Sequence, residues 1–181
     1  MTSREVLLAK YPDASITTVR QELDEETFQI QKQKHESRNA EGGAIGVIWA
    51  GNAEIVLARR LGKLHAGWAL VGGTVEQGQK FDDAFLQEAK EEAGVDIRIE
   101  RLVILEQKVF VSPSGQELHM DLAVFEGTIL EGQHITQTPE AAEEGLEVKV
   151  FPYNTPPVEM ILGDKAKLEQ VIRERGLKPL I

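Results

Sequence analysis

The chain is expected to fold as an α/β domain, an α/β/α sandwich around a mixed β-sheet. Three observations lead there. Short apolar runs with strand character recur on both sides of one acidic helical segment at 80–93. A second amphipathic segment, at about 164–175, closes the chain. Strands, one helix, more strands and a final helix give a sheet that can bury both faces only if helices cover each of them.

In chain order, residues 3–10 suggest a short helix. Residues 19–35 admit two readings. Thr27-Phe28-Gln29-Ile30-Gln31 alternates like a strand, while Asp24-Glu25-Glu26 opens like a helix. Asn39 to Gly43 reads as a linker. Ala44 to Trp49 and Glu54 to Arg59 are apolar strands joined around Gly51-Asn52, a hairpin signal. Leu61 to Gly67 reads as a loop, Ala69 to Val75 as a strand and turn, and Lys80 to Ala93 as a helix that Gly94 stops. Ile97 to Val111 and Glu117 to Phe125 are strands joined by Ser112-Pro113-Ser114-Gly115. Gly127 to Ala142 is expected to be mostly loop, and Leu146 to Phe151 a strand. The last helix has Asp164 as its expected N-cap and Gly176 as its stop. No internal repeat or low-complexity tract interrupts this order.

Composition narrows the function. The 181 residues include 41% hydrophobic ones, enough for one domain of common size plus an extension. There is no cysteine, so disulfides, thiolate metal sites and a Cys nucleophile are excluded. MTSREVLLAKYP carries no signal-peptide pattern, and the most apolar stretch, Ala44 to Ala50, is far too short to span a bilayer. A reducing cytoplasm is the expected location, with no membrane partner. Net charge is -10, from 30 acidic and 20 basic residues, which disfavours nucleic acid polymers and anionic membranes. A polyphosphate ligand would be repelled too, unless a metal and local basic groups compensate.

The densest information lies in residues 73–95, GTVEQGQKFDDAFLQEAKEEAGV. Glu88, Glu91 and Glu92 stand at i, i+3 and i+4, so a helix projects them from one face. Leu86, Ala89 and Ala93 point away and can meet a core. Three like charges on one stripe cost a few tenths of a kcal/mol per pair, a cost that a hard divalent cation offsets. An acidic run is more often a solvated surface. Here, however, Gly72-Gly73 follows an apolar strand, where two glycines permit close backbone approach to a ligand.

This stretch resembles the box of the Nudix hydrolases, G-x5-E-x7-R-E-U-x-E-E-x-G-U, where U is bulky and apolar. Gly73, Glu88, Glu91, Glu92, Gly94 and Val95 match. Gln79 stands at the first Glu, Gln87 at the Arg, and Ala89 is smaller than the usual aliphatic residue. The approach Trp68-x-x-x-Gly72-Gly73 is also similar, with Val71 where Pro is common. The resemblance covers about residues 43–175. It divides the chain into an N-terminal extension at 1–42, helix plus possible strand, and a Nudix domain at 43–181.

The resemblance implies a Nudix-type sandwich and a Mg²⁺- or Mn²⁺-dependent pyrophosphohydrolase. Its substrate would be a small molecule, a nucleoside diphosphate linked to another moiety, of the ADP-ribose or nucleotide-sugar type. It implies Glu88, Glu91 and Glu92 as catalytic and, with the Gly72 carbonyl, as metal ligands. Gly73 and Gln79 belong to the substrate side. Gln79 offers an amide oxygen but no charge, and with Gln87 it looks like a compensated pair. A further acid from a distant loop is implied among Glu140, Glu143 and Glu144. Arg59 and Arg60 are candidates for the phosphates, and strand alternation lets at most one reach them. Lys63 and His65 in the next loop are further candidates for substrate contact. His119 reads as a partly buried structural histidine, and Trp68 as a packing residue under the glycine turn. In this family an extension such as 1–42 serves dimerisation or substrate closure, so a homodimer is expected. The alternative function is a weak or inactive Nudix domain that binds a nucleotide or phosphosugar. The isomerase chemistry known on this fold relies on a cysteine that this chain lacks.

Overall fold

In the computed structural model, which describes residues 1–62 and 67–181, seven strands form one mixed sheet. Helix α1 (Ser3–Lys10) leads to strand β1 (Ser15–Glu22), helix α2 (Glu25–Arg38) and strands β2 (Ala40–Trp49), β3 (Glu54–Arg60) and β4 (Ala69–Glu76). Helix α3 (Phe81–Ala93), strands β5 (Ile97–Val111) and β6 (Glu117–Ile129), helix α4 (Pro139–Glu143), strand β7 (Leu146–Pro152) and helix α5 (Leu162–Glu174) follow. The sheet order is β1-β5-β6-β2-β4-β3-β7. The β1–β5 and β2–β6 pairs are parallel and the others antiparallel.

Alternation of side chains divides the core into two layers. On one face Val71, Val75 and Phe125 of the sheet meet Phe81, Phe85, Ala89 and Ala93 of α3, together with Leu7 of α1. On the other, Trp49, Leu57, Leu70 and Val124 meet Leu168, Val171 and Ile172 of α5. The α/β/α sandwich expected from the sequence is the fold observed.

Several local expectations need correction. Residues 25–38 are helical, because Asp24 caps the helix by accepting from the Thr27 N–H at 2.8 Å, and the alternation at 27–31 buries only Phe28 while leaving Ile30 exposed. Of the expected linker at 39–43, Asn39 caps α2 and residues 40–43 begin β2, paired with β4 and β6. Strand β6 runs on to Ile129 and α4 occupies 139–143, so the loop between them is shorter than expected. Asp164 does not cap α5. Ile161 holds that position without a side-chain bond, and Asp164 instead accepts from the Leu70 N–H of β4 at 2.9 Å. Leu86 is exposed rather than in the core. His119 is exposed rather than partly buried, and its Nε2 lies 3.0 Å from Glu117 Oε2. Trp68 lies in the α5-side core, edge-on to Phe151. Lys63 and His65 lie outside the described residues. Among the described residues no helix is long and apolar enough to cross a membrane.

Candidate functional site

Helix α3 lies along β4, and its i, i+4 geometry sends Phe81, Phe85 and Ala89 into the core while Glu88 and Glu92 turn toward the Gly72-Gly73 turn. Gly94 ends the helix in the left-handed conformation, with its N–H bonded to the Lys90 and Ala89 carbonyls. Gly72 has a φ of 150°, and a side chain there would run into the Ala44 backbone. A Cβ on Gly73 would overlap the Glu88 carboxylate. The two glycines therefore exist in this form because a carboxylate and a neighbouring strand occupy the space a side chain would need.

The result is a cavity of about 320 Å³ whose floor carries Glu88 and Glu92 beside Gly72 and Gly73. Glu92 is buried and accepts from the Gly72 N–H at 3.4 Å. Burial, then the charge of Glu88, pushes the Glu92 carboxyl up to about 8. Burial, then the charges of Glu91 and Glu144, pushes Glu88 up to about 7, and Arg60 pulls both the other way. Two acids so placed are poorly solvated and mutually repelled, which is the condition a divalent cation relieves.

Beside them runs a chain of side-chain amides. The Glu76 N–H donates to Gln79 Oε1 at 3.0 Å, Gln79 Nε2 to Gln87 Oε1 at 2.9 Å, and Gln87 Nε2 to Glu91 Oε1 at 2.7 Å. Gln79 and Gln87 are thus partners of each other, and Glu91 is tied to Gln87. Arg60 lines the cavity and donates to Glu144 at 2.8 Å. Arg59 turns to the other side of β3, bonded to Glu147 with its guanidinium 4.7 Å above the Trp68 ring, and does not line the cavity. Of the three loop acids, Glu144 lines the cavity and Glu140 and Glu143 do not. Arg38, which the sequence reading passed over, also lines it, and its Nη1 donates to Thr74 Oγ1 at 3.2 Å. Its only signal in the sequence is a cation just before Asn39, a residue tolerant of the left-handed turn that ends α2.

The donor set suits a hard cation in chemistry but is not a finished cage. Among the described residues no group of three or more His, Asp or Glu side chains is drawn together as a metal cluster. The Glu88–Glu92 pair is in place. Glu91 is tied to Gln87 through one oxygen and Glu144 to Arg60 through one oxygen, which leaves each a second oxygen.

A carboxylate-bearing helix set against a glycine turn, in an α/β/α sandwich, is the arrangement expected from the resemblance to the Nudix hydrolases. The family model of the NUDIX domain matches residues 40–173, and the chain belongs to the Nudix hydrolase family. Enzymes of this family generally use a divalent metal and act on small-molecule diphosphates. Comparison with curated proteins finds no match. Among solved structures, the chain is similar to an ADP-ribose pyrophosphatase from Streptococcus suis, at 16% identity over 77% of this chain and 94% of that one, with a TM-score of 0.50. It is also similar to a NUDIX hydrolase from Nitrosomonas europaea, at 18% identity over 78% and 77% of the two chains, with a TM-score of 0.49. At such identity the streptococcal likeness speaks for the fold alone.

Proposed function

We propose that the chain hydrolyses the diphosphate bridge of a nucleoside diphosphate linked to another moiety. The observation that carries this reading is the charge layout of one cavity, with the half-buried Glu88 and the buried Glu92 on its floor and Arg60 on its wall. A bound Mg²⁺ or Mn²⁺ would neutralise bridging charge and lower the pKa of the attacking water. Glu88 and Glu92, with the Gly72 carbonyl, are the residues to hold it. Gly73, lacking a side chain, leaves the approach to Glu88 open, and Gln79 offers its amide at the rim. In the reaction a water oxygen attacks one phosphorus, the bridging P–O bond breaks, and two phosphorylated products leave. The water's proton passes to a carboxylate of the cluster, with the half-buried Glu91 and the exposed Glu144 as its acceptors.

A second reading, a nucleotide- or phosphosugar-binding module, draws support from the neutral Gln79–Gln87 pair and from the absence of a preformed three-acid cluster among the described residues. The deciding experiment is a screen of the purified protein with Mg²⁺ or Mn²⁺. Its substrates are ADP-ribose (the type named for the streptococcal neighbour), nucleotide sugars, dinucleoside polyphosphates and nucleoside triphosphates. Cleavage of one class into two phosphorylated products supports hydrolysis. Tight nucleotide binding with no cleavage anywhere establishes the binding module instead.

A further inference from the structure

We infer that Arg38 is a phosphate-binding residue of this site, delivered by α2 from outside the segment that matches the family, and that its ligand is a phosphate of the substrate remote from the Glu88–Glu92 pair. The inference rests on the proposed phosphoanhydride reading and deepens it.

The charge of the cavity comes first. Glu76, Glu88, Glu91, Glu92 and Glu144 line it, against two cations, Arg38 and Arg60. Arg60 is already committed to Glu144 at 2.8 Å. Arg38 makes no ion pair among the described residues, and its one hydrogen bond goes to a neutral hydroxyl, Thr74 Oγ1. The chain carries 30 acidic residues against 20 basic ones. A guanidinium that lines an acid-rich cavity in such a chain, without pairing to any of those acids, keeps donors open for another anion. Its planar fork suits two phosphate oxygens at once.

The placement is built rather than incidental. Phe28, almost fully buried, fixes α2 against the domain. Asn39 ends the helix in the left-handed conformation, and its side chain donates to Gln77 Oε1 at 2.6 Å while its carbonyl accepts from the Gln77 N–H at 3.0 Å. These two bonds hold the backbone next to Arg38 on the β4–α3 turn. Thr74, the partner of Arg38, directly follows Gly73, whose vacant side is filled by the Glu88 carboxylate. The guanidinium thus lines the same cavity as the expected cation position, where one phosphate of a bridge would face the cation at Glu88 and Glu92 and its neighbour would face Arg38. A cation in the last turn of a helix also favours the helix dipole by a fraction of a kcal/mol. That preference gives no reason for the side chain to reach across to Thr74.

The test uses the full chain and two probes, Mn²⁺ alone and ADP in the presence of Mg²⁺, with affinities measured by calorimetry. Arg38→Ala is expected to weaken ADP binding roughly tenfold or more while leaving Mn²⁺ affinity unchanged or slightly tighter. Arg38→Lys should recover part of the ADP affinity, since it restores charge without the fork. Unchanged ADP affinity in Arg38→Ala, with Mn²⁺ binding intact, overturns the inference and leaves the proposed function standing. Parallel loss of ADP and Mn²⁺ binding overturns it too, because it marks Arg38 as a support of the fold. A wild type that binds no ADP, with or without Mn²⁺, brings down both.

Discussion

At the scale of single residues, the half-buried Glu88 and the buried Glu92 set the pH behaviour. Both carboxyls lie above their ordinary value of 4.5, at about 7 and about 8, chiefly through burial. A carboxyl whose folded value exceeds its unfolded one favours the fold while it is protonated. In metal-free protein that contribution is complete below about pH 4.5 and is lost as the pH rises through 7 to 8. Glu92→Gln should therefore raise the metal-free melting temperature at pH 9, by roughly 4–8 °C for a relief of about 2 kcal/mol. The same change should cost tenfold or more in Mn²⁺ affinity, on the order of 1.4 kcal/mol. Calorimetry giving equal Mn²⁺ affinity for wild type and Glu88→Gln/Glu92→Gln would remove this pair as the metal site. Metal binding should also release protons at pH 6–7 and fewer at pH 9, because ligands must be deprotonated to bind. Titrations in two buffers of different ionisation enthalpy read that number directly. The carboxylate stripe was legible from spacing alone. The burial that shifts it was not, since it depends on β4 lying across the helix.

At the scale of elements, the helix and the turn before it share the amide chain Gln79–Gln87–Glu91. Two neutral side chains donate and accept in series, and Glu91 is held at the end of the series. Inserting Arg at 87 alone leaves a cation beside the Gln79 amide. Inserting Glu at 79 alone adds a sixth carboxylate to Glu76, Glu88, Glu91, Glu92 and Glu144. Gln79→Glu with Gln87→Arg should raise turnover or lower the Mg²⁺ requirement, and the two changes should be non-additive by about 0.5–3 kcal/mol, as in-contact pairs are. Additive effects within about 0.3 kcal/mol, in a full double-mutant cycle on kcat/KM, would deny the coupling. The sequence suggested a compensated pair, and the bond from one amide to the other is its physical form. Elsewhere the long elements were readable because their periods are clear, as in Ile97 to Val111. Residues 25–38 were ambiguous because a strand-like alternation of five residues overlaps a helix whose only fully buried side chain is Phe28, so helical periodicity had almost nothing to write with.

At the scale of the whole molecule, we propose that residues 1–42 are an appended structural element of the Nudix domain rather than a unit with its own core. They are too few and too polar to own one. Their contacts with the rest of the chain are specific. All eight residues of β1, Ser15 to Glu22, pair in register with Ile104 to Val111 of β5. Leu7 joins the α3-side core, Tyr11 meets Phe125 edge-on at 5.8 Å, and Lys10 pairs with the buried Asp82 in the first turn of α3. A reader of the sequence could see that 1–42 lay outside the family pattern. What could not be read was that β1 would add itself to the far edge of the sheet, because that pairing spans some ninety residues and follows from no local signal. A truncated chain beginning at Glu41 loses the burial of Leu7 and Phe28, worth about 1.5–3 kcal/mol each. It also strips β5 of its edge partner and leaves Asp82 buried without Lys10. Its melting temperature should fall by about 10 °C or more, and Arg38 goes with the segment, so ADP affinity should fall further than the loss of stability explains. The residues of β1 are all exposed, and the strand offers an open edge. If the expected homodimer forms along it, light scattering should show truncation converting a dimer to a monomer. Retention of melting temperature, oligomeric state and ADP affinity together would show that the extension is dispensable and that the domain beginning near Glu41 is complete by itself.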